Sequence, residues 1–205
     1  MLSISILTTT IFGVLFCATY YLIVCALKRR WIQLEPKKLL FYVSLFCLYG
    51  IGGEIVVNSL WVYSFGEPLW EYRLFPAQNA HISYFFPLIW GSLGFYKYIN
   101  DTVWHKFESN QVILPGLIMG AEAIFLEILY NGLFLLLFDE YIFYYLPASL
   151  GPFSHLSCLE VLPFYFMVGL VITILVKQQN KIGYSRSIVF TISFYWMIIA
   201  ALLLL

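Results

Sequence analysis

Four glutamates interrupt the apolar stretches of this chain, and they are the residues whose type and position could do chemistry. They are Glu54, Glu122, Glu127 and Glu160. Ionisable groups inside membrane segments are costly, and by default they mark functional positions. A carboxylic acid removed from water can stay protonated near neutral pH and donate its proton to a double bond, an epoxide or a carbonyl group. The chemistry we expect is therefore acid–base chemistry on a lipophilic molecule.

A repeated pattern of polar and aromatic residues surrounds two of these glutamates. Residues 54–72 and 127–145 share seven identities in nineteen positions at a shift of 73. Five of the seven are polar or aromatic, which a shared apolar composition does not readily produce. At a shift of 74, His81-Ile82-Ser83 also matches His155-Leu156-Ser157. The repeat predicts a duplicated helical hairpin.

The repeated residues define the candidate site. Glu54 and Asn58 are four residues apart, which places them on one face of a helix, and Glu127 and Asn131 repeat this spacing. Two such sets related by a pseudo-twofold axis would face a shared cavity in the outer half of the membrane. The predicted catalytic residues are Glu54, Glu127, Glu160, His155 and His81; the predicted substrate-binding residues are Asn58, Asn131, Trp61, Trp70, Tyr72, Tyr145, Ser83 and Ser157.

These residues also have structural interpretations, which the sequence leaves open. The Glu–Asn pairs could be hydrogen-bonded contacts between helices, worth about 0.6–2 kcal/mol each. The loops at 65–72 and 138–145, which are rich in aromatic residues, could be an ordinary interfacial belt. The histidines could be interfacial side chains whose hydrogen bonds are satisfied. Neither a Glu-x-x-His pair nor a His-Glu-x-x-His motif occurs in the sequence. We therefore expect no metal site and no cofactor.

Composition and hydropathy identify the elements that must position these residues. Of the 205 residues, 62% are hydrophobic and only 11% are charged, against about 25% charged in a soluble domain. The apolar runs are continuous, which favours helices over a barrel. We predict an all-α integral membrane protein, a single domain over residues 1–205. Its six spans are expected near 5–27, 39–62, 82–98, 113–137, 156–177 and 188–205.

Helices 2–3 and 4–5 of this prediction form the parallel duplicated hairpin. Repeat 1 covers about 39–98 and repeat 2 about 113–177. Parallel repeats of this kind are related by an axis along the membrane normal.

The basic residues predict an orientation. Ten of the eleven Lys and Arg residues fall in the loops of one side, and Arg73 is the exception. Because Lys and Arg favour cytoplasmic loops, both termini are expected to be non-cytoplasmic. The first span is interpreted as a retained helix, since basic residues follow it rather than precede it. The four cysteines fall inside spans and do not suggest a disulfide framework.

The functional prediction is a multi-pass membrane protein with an outward-facing polar pocket. The pocket would bind a lipophilic small molecule and could perform isomerase- or cyclase-type chemistry on a lipid or isoprenoid. The tandem-hairpin layout resembles that of small membrane cyclases acting on carotenoids and terpenoids, but the paired Pro-x-Glu-Glu motif of the lycopene cyclase type is missing. A transporter, a ligand-binding protein and a structural or assembly subunit remain alternatives. Membrane lipid and a lipophilic ligand are the expected partners, nucleic acid is not, and homo-oligomerisation is left open.

Overall fold

A computed structural model describes residues 6–77, 79–104 and 112–203, with the main chain alone at 180–182 and 200–203. Within these ranges the protein is mostly helical. It contains α1 (Ile6–Lys28), α2 (Pro36–Phe65), α3 (Phe86–Val103), α4 (Ile113–Phe138), α5 (Leu162–Ile182) and α6 (Tyr184–Leu203).

Four segments of the described chain are long and apolar enough to cross a membrane. They are Ile6–Lys28, Pro36–Phe65, Ile113–Phe138 and Leu159–Gln179. Large apolar side chains cover much of the outer surface of these helices; Leu7 is 67% exposed and Leu136 is 80% exposed. An outer surface of this kind is what lipid, rather than water, would surround. The structure is therefore consistent with a membrane protein.

The helices pack as two neighbouring pairs, α2 against α3 and α4 against α5, with α6 on α2 and α1 on α3. Glycines permit the close approach within each pair. A Cβ atom added at Gly94 of α3 would lie 2.8 Å from the Cα atom of Val43 on α2, and one added at Gly169 of α5 would lie 2.9 Å from the Cα atom of Gly116 on α4. The pairs of helices therefore meet backbone to backbone.

The loops between the paired helices contain short strands, so the prediction of a purely helical chain is wrong there. The strands are β1 (Trp70–Tyr72), β2 (Pro76–Ala77), β3 (Ile82–Ser83) and β4 (Phe143–Tyr145). Strand β1 pairs antiparallel with β4, and β2 with β3. Trp70, Tyr72, Phe143 and Tyr145 are all buried. A buried loop must satisfy its backbone N–H and C=O groups, and strand pairing does so.

Two helices begin later than predicted. Helix α3 begins at Phe86 rather than near 82, because residues 82 and 83 belong to β3, and α5 begins at Leu162, after a 3₁₀ turn over Leu159–Val161. Each has a proline in its first turn, where the missing N–H has no intrahelical partner to lose.

The preceding helices, α2 and α4, end in the same way. The residue after each helix adopts a left-handed conformation, Gly66 with φ 81° and Asp139 with φ 58°. The N–H group of Gly66 donates to Val62 and that of Asp139 donates to Leu135, each at 2.8 Å. The equivalent residues are again 73 apart.

Candidate functional site

Asn58 on α2 fixes the loop that follows its own helix. Its side chain is fully buried. The Oδ1 atom accepts a hydrogen bond from the Leu69 N–H group at 2.8 Å, and Nδ2 donates to the Trp70 carbonyl oxygen at 3.0 Å. The side-chain amide thus hydrogen-bonds to one N–H group and one C=O group of the loop backbone, and it holds the start of β1 against α2.

Asn131 on α4 does the same for the second loop. Its Oδ1 atom accepts from the Ile142 N–H group at 2.9 Å, and Nδ2 donates to the Phe143 carbonyl oxygen at 2.7 Å. Both asparagines were predicted to bind substrate. The structure instead gives their amides to the backbone of β1 and β4, where they position the loops.

The two loops are joined across the β1–β4 pair. Its register sets Trp70 opposite Tyr145, Glu71 opposite Tyr144 and Tyr72 opposite Phe143. Beyond the strands, the Leu146 N–H group donates to Leu69 at 3.1 Å and the Arg73 N–H group donates to Ile142 at 3.0 Å. These two bonds are equivalent under a shift of 73 residues, because Arg73 corresponds to Leu146 and Leu69 corresponds to Ile142. The loops therefore form one layer, which we call the joined loop layer (residues 69–73 and 142–146).

Glu54 lies beneath the joined loop layer and is only 3% exposed. Its Oε1 atom accepts hydrogen bonds from the Tyr72 hydroxyl group and, at 2.7 Å, from Nε1 of Trp90 on α3. Its Oε2 atom is buried and has no partner among the described residues. One oxygen of the carboxyl group is thus held in place, and the other remains available.

Glu127 occupies the equivalent place on α4 and is 8% exposed. Its Oε1 atom accepts from the hydroxyl groups of Tyr145, at 2.7 Å, and of Tyr165 on α5. Its Oε2 atom accepts from the Ser157 hydroxyl group at 2.5 Å. Both oxygens of Glu127 are therefore engaged, in contrast to Glu54.

The tyrosines of the joined loop layer serve as hydrogen-bond donors. Burial raises the pKa of Tyr72 and of Tyr145 well above the ordinary value, and the neighbouring carboxyl groups raise each further. Desolvation and a nearby negative charge both disfavour a phenolate. These hydroxyl groups therefore stay protonated and keep donating to Glu54 and Glu127.

Both glutamates line one cavity of about 40 Å³. A space of this size holds about three water molecules or the slender end of a larger ligand. The hydroxyl group of Tyr130 on α4 is buried, has no partner among the described residues, and belongs to a side chain that lines the same cavity. The remaining wall is largely aromatic and includes Trp70, Trp90, Phe143 and Phe164.

Several predicted site residues lie away from this cavity. Glu160 accepts a hydrogen bond from Ser149 at 2.6 Å near the surface. The ring of His155 stacks on Tyr144 with centroids 4.1 Å apart, and its Nδ1 atom lies 2.6 Å from the Tyr145 carbonyl oxygen. The cavity wall also leaves out His81, Ser83 and Trp61.

Two of these outlying residues have contacts of their own. Ser83 donates to the Leu74 carbonyl oxygen at 2.7 Å, and Trp61 packs on Phe65. They shape the loop and the end of α2 and do not approach the two buried glutamates.

A second polar cluster lies further along α3. The cavity wall includes Ser92 and Tyr96 of this helix. The Tyr96 hydroxyl group interacts with the carboxyl group of Glu122 on α4. The next residue, Lys97, is buried, and its ammonium group pairs with Asp101 one turn further along α3. Polar side chains thus continue from the cavity toward the C-terminal end of α3.

Sequence reasoning missed Trp90 and Tyr165, which contact the two glutamates from α3 and α5. They are 75 residues apart, as are Gly94 and Gly169. The backbone gives the same offset: the Tyr72 N–H group donates to Ala80 at 2.8 Å, and the Tyr145 N–H group donates to His155 at 3.2 Å. The backbone of His155 thus corresponds to that of Ala80, not to His81. An alignment of the two segments with a two-residue gap, which changes the shift from 73 to 75, would have matched Trp90 with Tyr165.

No protein-family model matches the chain, and neither a curated protein nor a solved structure matches it significantly. Among the residues that the structure describes, no three His, Cys, Asp or Glu side chains are grouped so as to hold a metal ion. The function must therefore be inferred from the geometry of the cavity.

Proposed function

We propose that this protein binds the slender end of a lipophilic molecule, a lipid or an isoprenoid, in the cavity between α2 and α4, and transfers protons to and from it. One observation carries the proposal. The buried Oε2 atom of Glu54 has no partner in the described part of the chain and belongs to a side chain that lines an aromatic cavity together with Glu127. A buried polar atom without a partner is costly, and a ligand or water in the cavity would satisfy it.

The hydrogen bonds of Glu54 suit it to be the proton donor. Because Tyr72 and Trp90 both donate to Oε1, a proton on this carboxyl group belongs on Oε2. There it could pass to the terminal carbon of a double bond, with the π electrons forming the new C–H bond and leaving a carbocation. Loss of a proton from a neighbouring carbon would restore a double bond, so that the reaction is an isomerisation, or a cyclisation if a second double bond attacks first.

Glu127, in its carboxylate form, is the proposed acceptor of the departing proton. Ser157, Tyr145 and Tyr165 hold this carboxyl group in place from two sides. The aromatic faces around the cavity would stabilise the positive charge between the two transfers, since a cation near an aromatic face gains about 0.5–2 kcal/mol.

The proposal includes a membrane topology. Helices α3 and α6 would cross the membrane beside the four long apolar segments, giving six spans, and the basic loops would face the cytoplasm with both termini outside. The hairpins α2–α3 and α4–α5 would be a parallel duplication. Their matching helix ends, asparagine contacts and carboxyl contacts support this interpretation.

Hydrogen exchange into carbon tests the proposed chemistry. The protein in nanodiscs would be incubated in D₂O with an extract of neutral and isoprenoid lipids from its expression host. Proton transfer to carbon would place deuterium in a specific lipid, detected by mass spectrometry. The Glu54→Gln variant should lose this labelling by at least about 100-fold, the contribution typical of general acid–base catalysis.

Glu160→Gln is the matched control, because that carboxyl group lies near the surface and away from the cavity. It should label lipid at the wild-type rate. Equal labelling by wild type and Glu54→Gln, with both folded, would sink the proposal.

A proton-coupled carrier is the second candidate function. It is favoured by the polar side chains that continue along α3 from Ser92 and Tyr96 to the Lys97–Asp101 pair, opposite Glu122. Chains of ionisable groups of this kind serve as proton relays in transporters. A carrier would bind the same lipid without labelling it, and binding alone should then depend on Glu54.

A further inference from the structure

A separate groove opens between α2, α5 and α6, and none of the predicted catalytic residues lines it. Its volume is about 490 Å³. The residues that line it come from the start of α2, the end of α5 and the start of α6, which lie together at one end of the bundle. Its apolar lining includes Phe41, Leu45, Leu175 and Phe190.

Gln179 and Arg186 are among the polar side chains that line this groove. Gln179 is 3% exposed, and its Oε1 atom has no hydrogen-bond partner among the described residues. It lies near the C-terminal end of α5, which runs to Ile182. Arg186, in the first turns of α6, is exposed and brings a positive charge to the same groove.

The two groups define the chemistry of an occupant. A guanidinium group pairs with the oxygens of a phosphate. A glutamine Oε1 atom can only accept hydrogen bonds, so it needs a donor. The apolar wall below them suits an acyl chain. An occupant that meets all three demands has a phosphate, a hydrogen-bond donor next to it, and a fatty tail.

We propose that the groove binds a phospholipid whose headgroup carries a hydrogen-bond donor, such as phosphatidylethanolamine or phosphatidylglycerol. The phosphate pairs with Arg186, the ammonium or hydroxyl group donates to Gln179, and an acyl chain lies against Phe41 and Leu45. Phosphatidylcholine has the phosphate but no donor, and it leaves Gln179 unsatisfied. The site is independent of the cavity that contains Glu54 and of the chemistry proposed there.

Native mass spectrometry of the detergent-solubilised full chain tests this proposal. The protein would be titrated with phosphatidylethanolamine, phosphatidylglycerol and phosphatidylcholine of identical acyl chains. Wild-type protein should bind the two donor-bearing lipids about tenfold more tightly than phosphatidylcholine, the difference expected for one buried hydrogen bond. Equal binding of the three lipids by wild-type protein overturns the proposal.

Two variants separate the contributions of the polar groups. Gln179→Met keeps the size of the side chain and should abolish the preference among headgroups. Arg186→Gln is exposed, so it should fold normally, and it should weaken all three lipids because each has a phosphate. Arg30→Gln is the matched control, since it removes an exposed basic residue outside the groove.

Two results would contradict the proposed lipid site. A Gln179→Met variant of wild-type helicity that retains the wild-type lipid preference would show that the lipid binds elsewhere. So would an Arg186→Gln variant that binds all three lipids as tightly as the wild type does. Equal deuterium labelling by wild type and Glu54→Gln, with the lipid preference intact, would contradict only the proposed chemistry, so the two proposals can fail separately.

Discussion

At the scale of single residues, Glu54 and Glu127 show how the same local sequence can be given different tasks. Each glutamate precedes an asparagine by four residues and a tyrosine by eighteen, and each accepts a hydrogen bond from that tyrosine. Their remaining partners lie on the next helix or in the loop that precedes it, and they differ. Trp90 supplies one N–H donor to Glu54, whereas Tyr165 and Ser157 supply two hydroxyl donors to Glu127. That difference leaves an available oxygen on Glu54 alone.

Replacing either asparagine should destabilise the protein while leaving the carboxyl groups intact. Asn58→Ala removes two buried hydrogen bonds and orphans the Leu69 N–H and Trp70 C=O groups, which should cost about 2–4 kcal/mol. Asn131→Ala should cost about the same, since its contacts are equivalent. Unfolding midpoints in detergent would measure both losses.

Ser59→Ala, the exposed neighbour of Asn58 on the same helix, is the control and should change stability by less than about 0.5 kcal/mol. If Asn58→Ala were as stable as this control, the asparagine would not be holding the loop. Its predicted place in substrate binding would then be open again.

The sequence pointed to the two glutamates and to some of the residues around them. Of the predicted site residues, Glu54, Glu127, Tyr72, Tyr145 and Trp70 line the cavity, whereas most of its wall was not predicted. The sequence could not show that the asparagines would be used by the backbone, because strand positions in short aromatic loops have no periodic pattern to reveal them. It also misplaced His81 and His155, whose resemblance at a shift of 74 is not the offset that the backbone adopts.

At the scale of elements, the helices were predicted more accurately than the connections between them. Long apolar runs identify helices by length and composition, so α1, α2 and α4 lie close to their predicted ranges. The starts of α3 and α5 were predicted too early, since β3 and a 3₁₀ turn also consist of apolar residues. Apolar composition cannot distinguish a buried strand from the first turn of a helix.

Backbone contact between paired helices gives a prediction about the glycines. Gly94→Ala would press a Cβ atom to 2.9 Å from the Tyr42 carbonyl oxygen, and Gly169→Ala would press one to 2.9 Å from the Gly116 Cα atom. Because backbone must move to relieve these contacts, each substitution should cost about 1–3 kcal/mol. Thermal unfolding in detergent would detect the change.

Gly52→Ala provides the matched control within α2. Its Cβ atom would meet nothing within 4 Å, so alanine there should be neutral or stabilising by up to about 1 kcal/mol through helix propensity. Destabilisation by Gly52→Ala as large as that by Gly94→Ala would indicate a general effect of replacing glycine. The close approach of α2 and α3 would then have no special importance.

At the scale of the whole molecule, the joined loop layer ties the two helical pairs together above the glutamates. If β4 is the copy of β1, as the proposed duplication has it, their antiparallel pairing is what a twofold axis through the middle of the pair requires. The axis would pass between Glu71 and Tyr144, which are opposite each other and 73 residues apart. The strand register and the shared cavity are therefore what the proposed duplication would produce, although the two carboxyl groups differ in their contacts.

This register can be tested by a cross-link between the two halves of the chain. Residues directly opposite in an antiparallel pair have Cα atoms about 4.5–5.5 Å apart, within the range that a disulfide bridges. Glu71→Cys with Tyr144→Cys should therefore form a disulfide under mild oxidation, detected by mass spectrometry of peptides before and after reduction.

The native cysteines do not compete strongly, because Cys25, Cys47 and Cys158 are buried and Cys17 is half-buried. Glu71→Cys with Tyr141→Cys, about 10 Å out of register along the strand, should stay reduced. Efficient cross-linking of this second pair instead would show that the strand register is shifted by three residues. The symmetry that brings Glu54 and Glu127 to one cavity would then not hold.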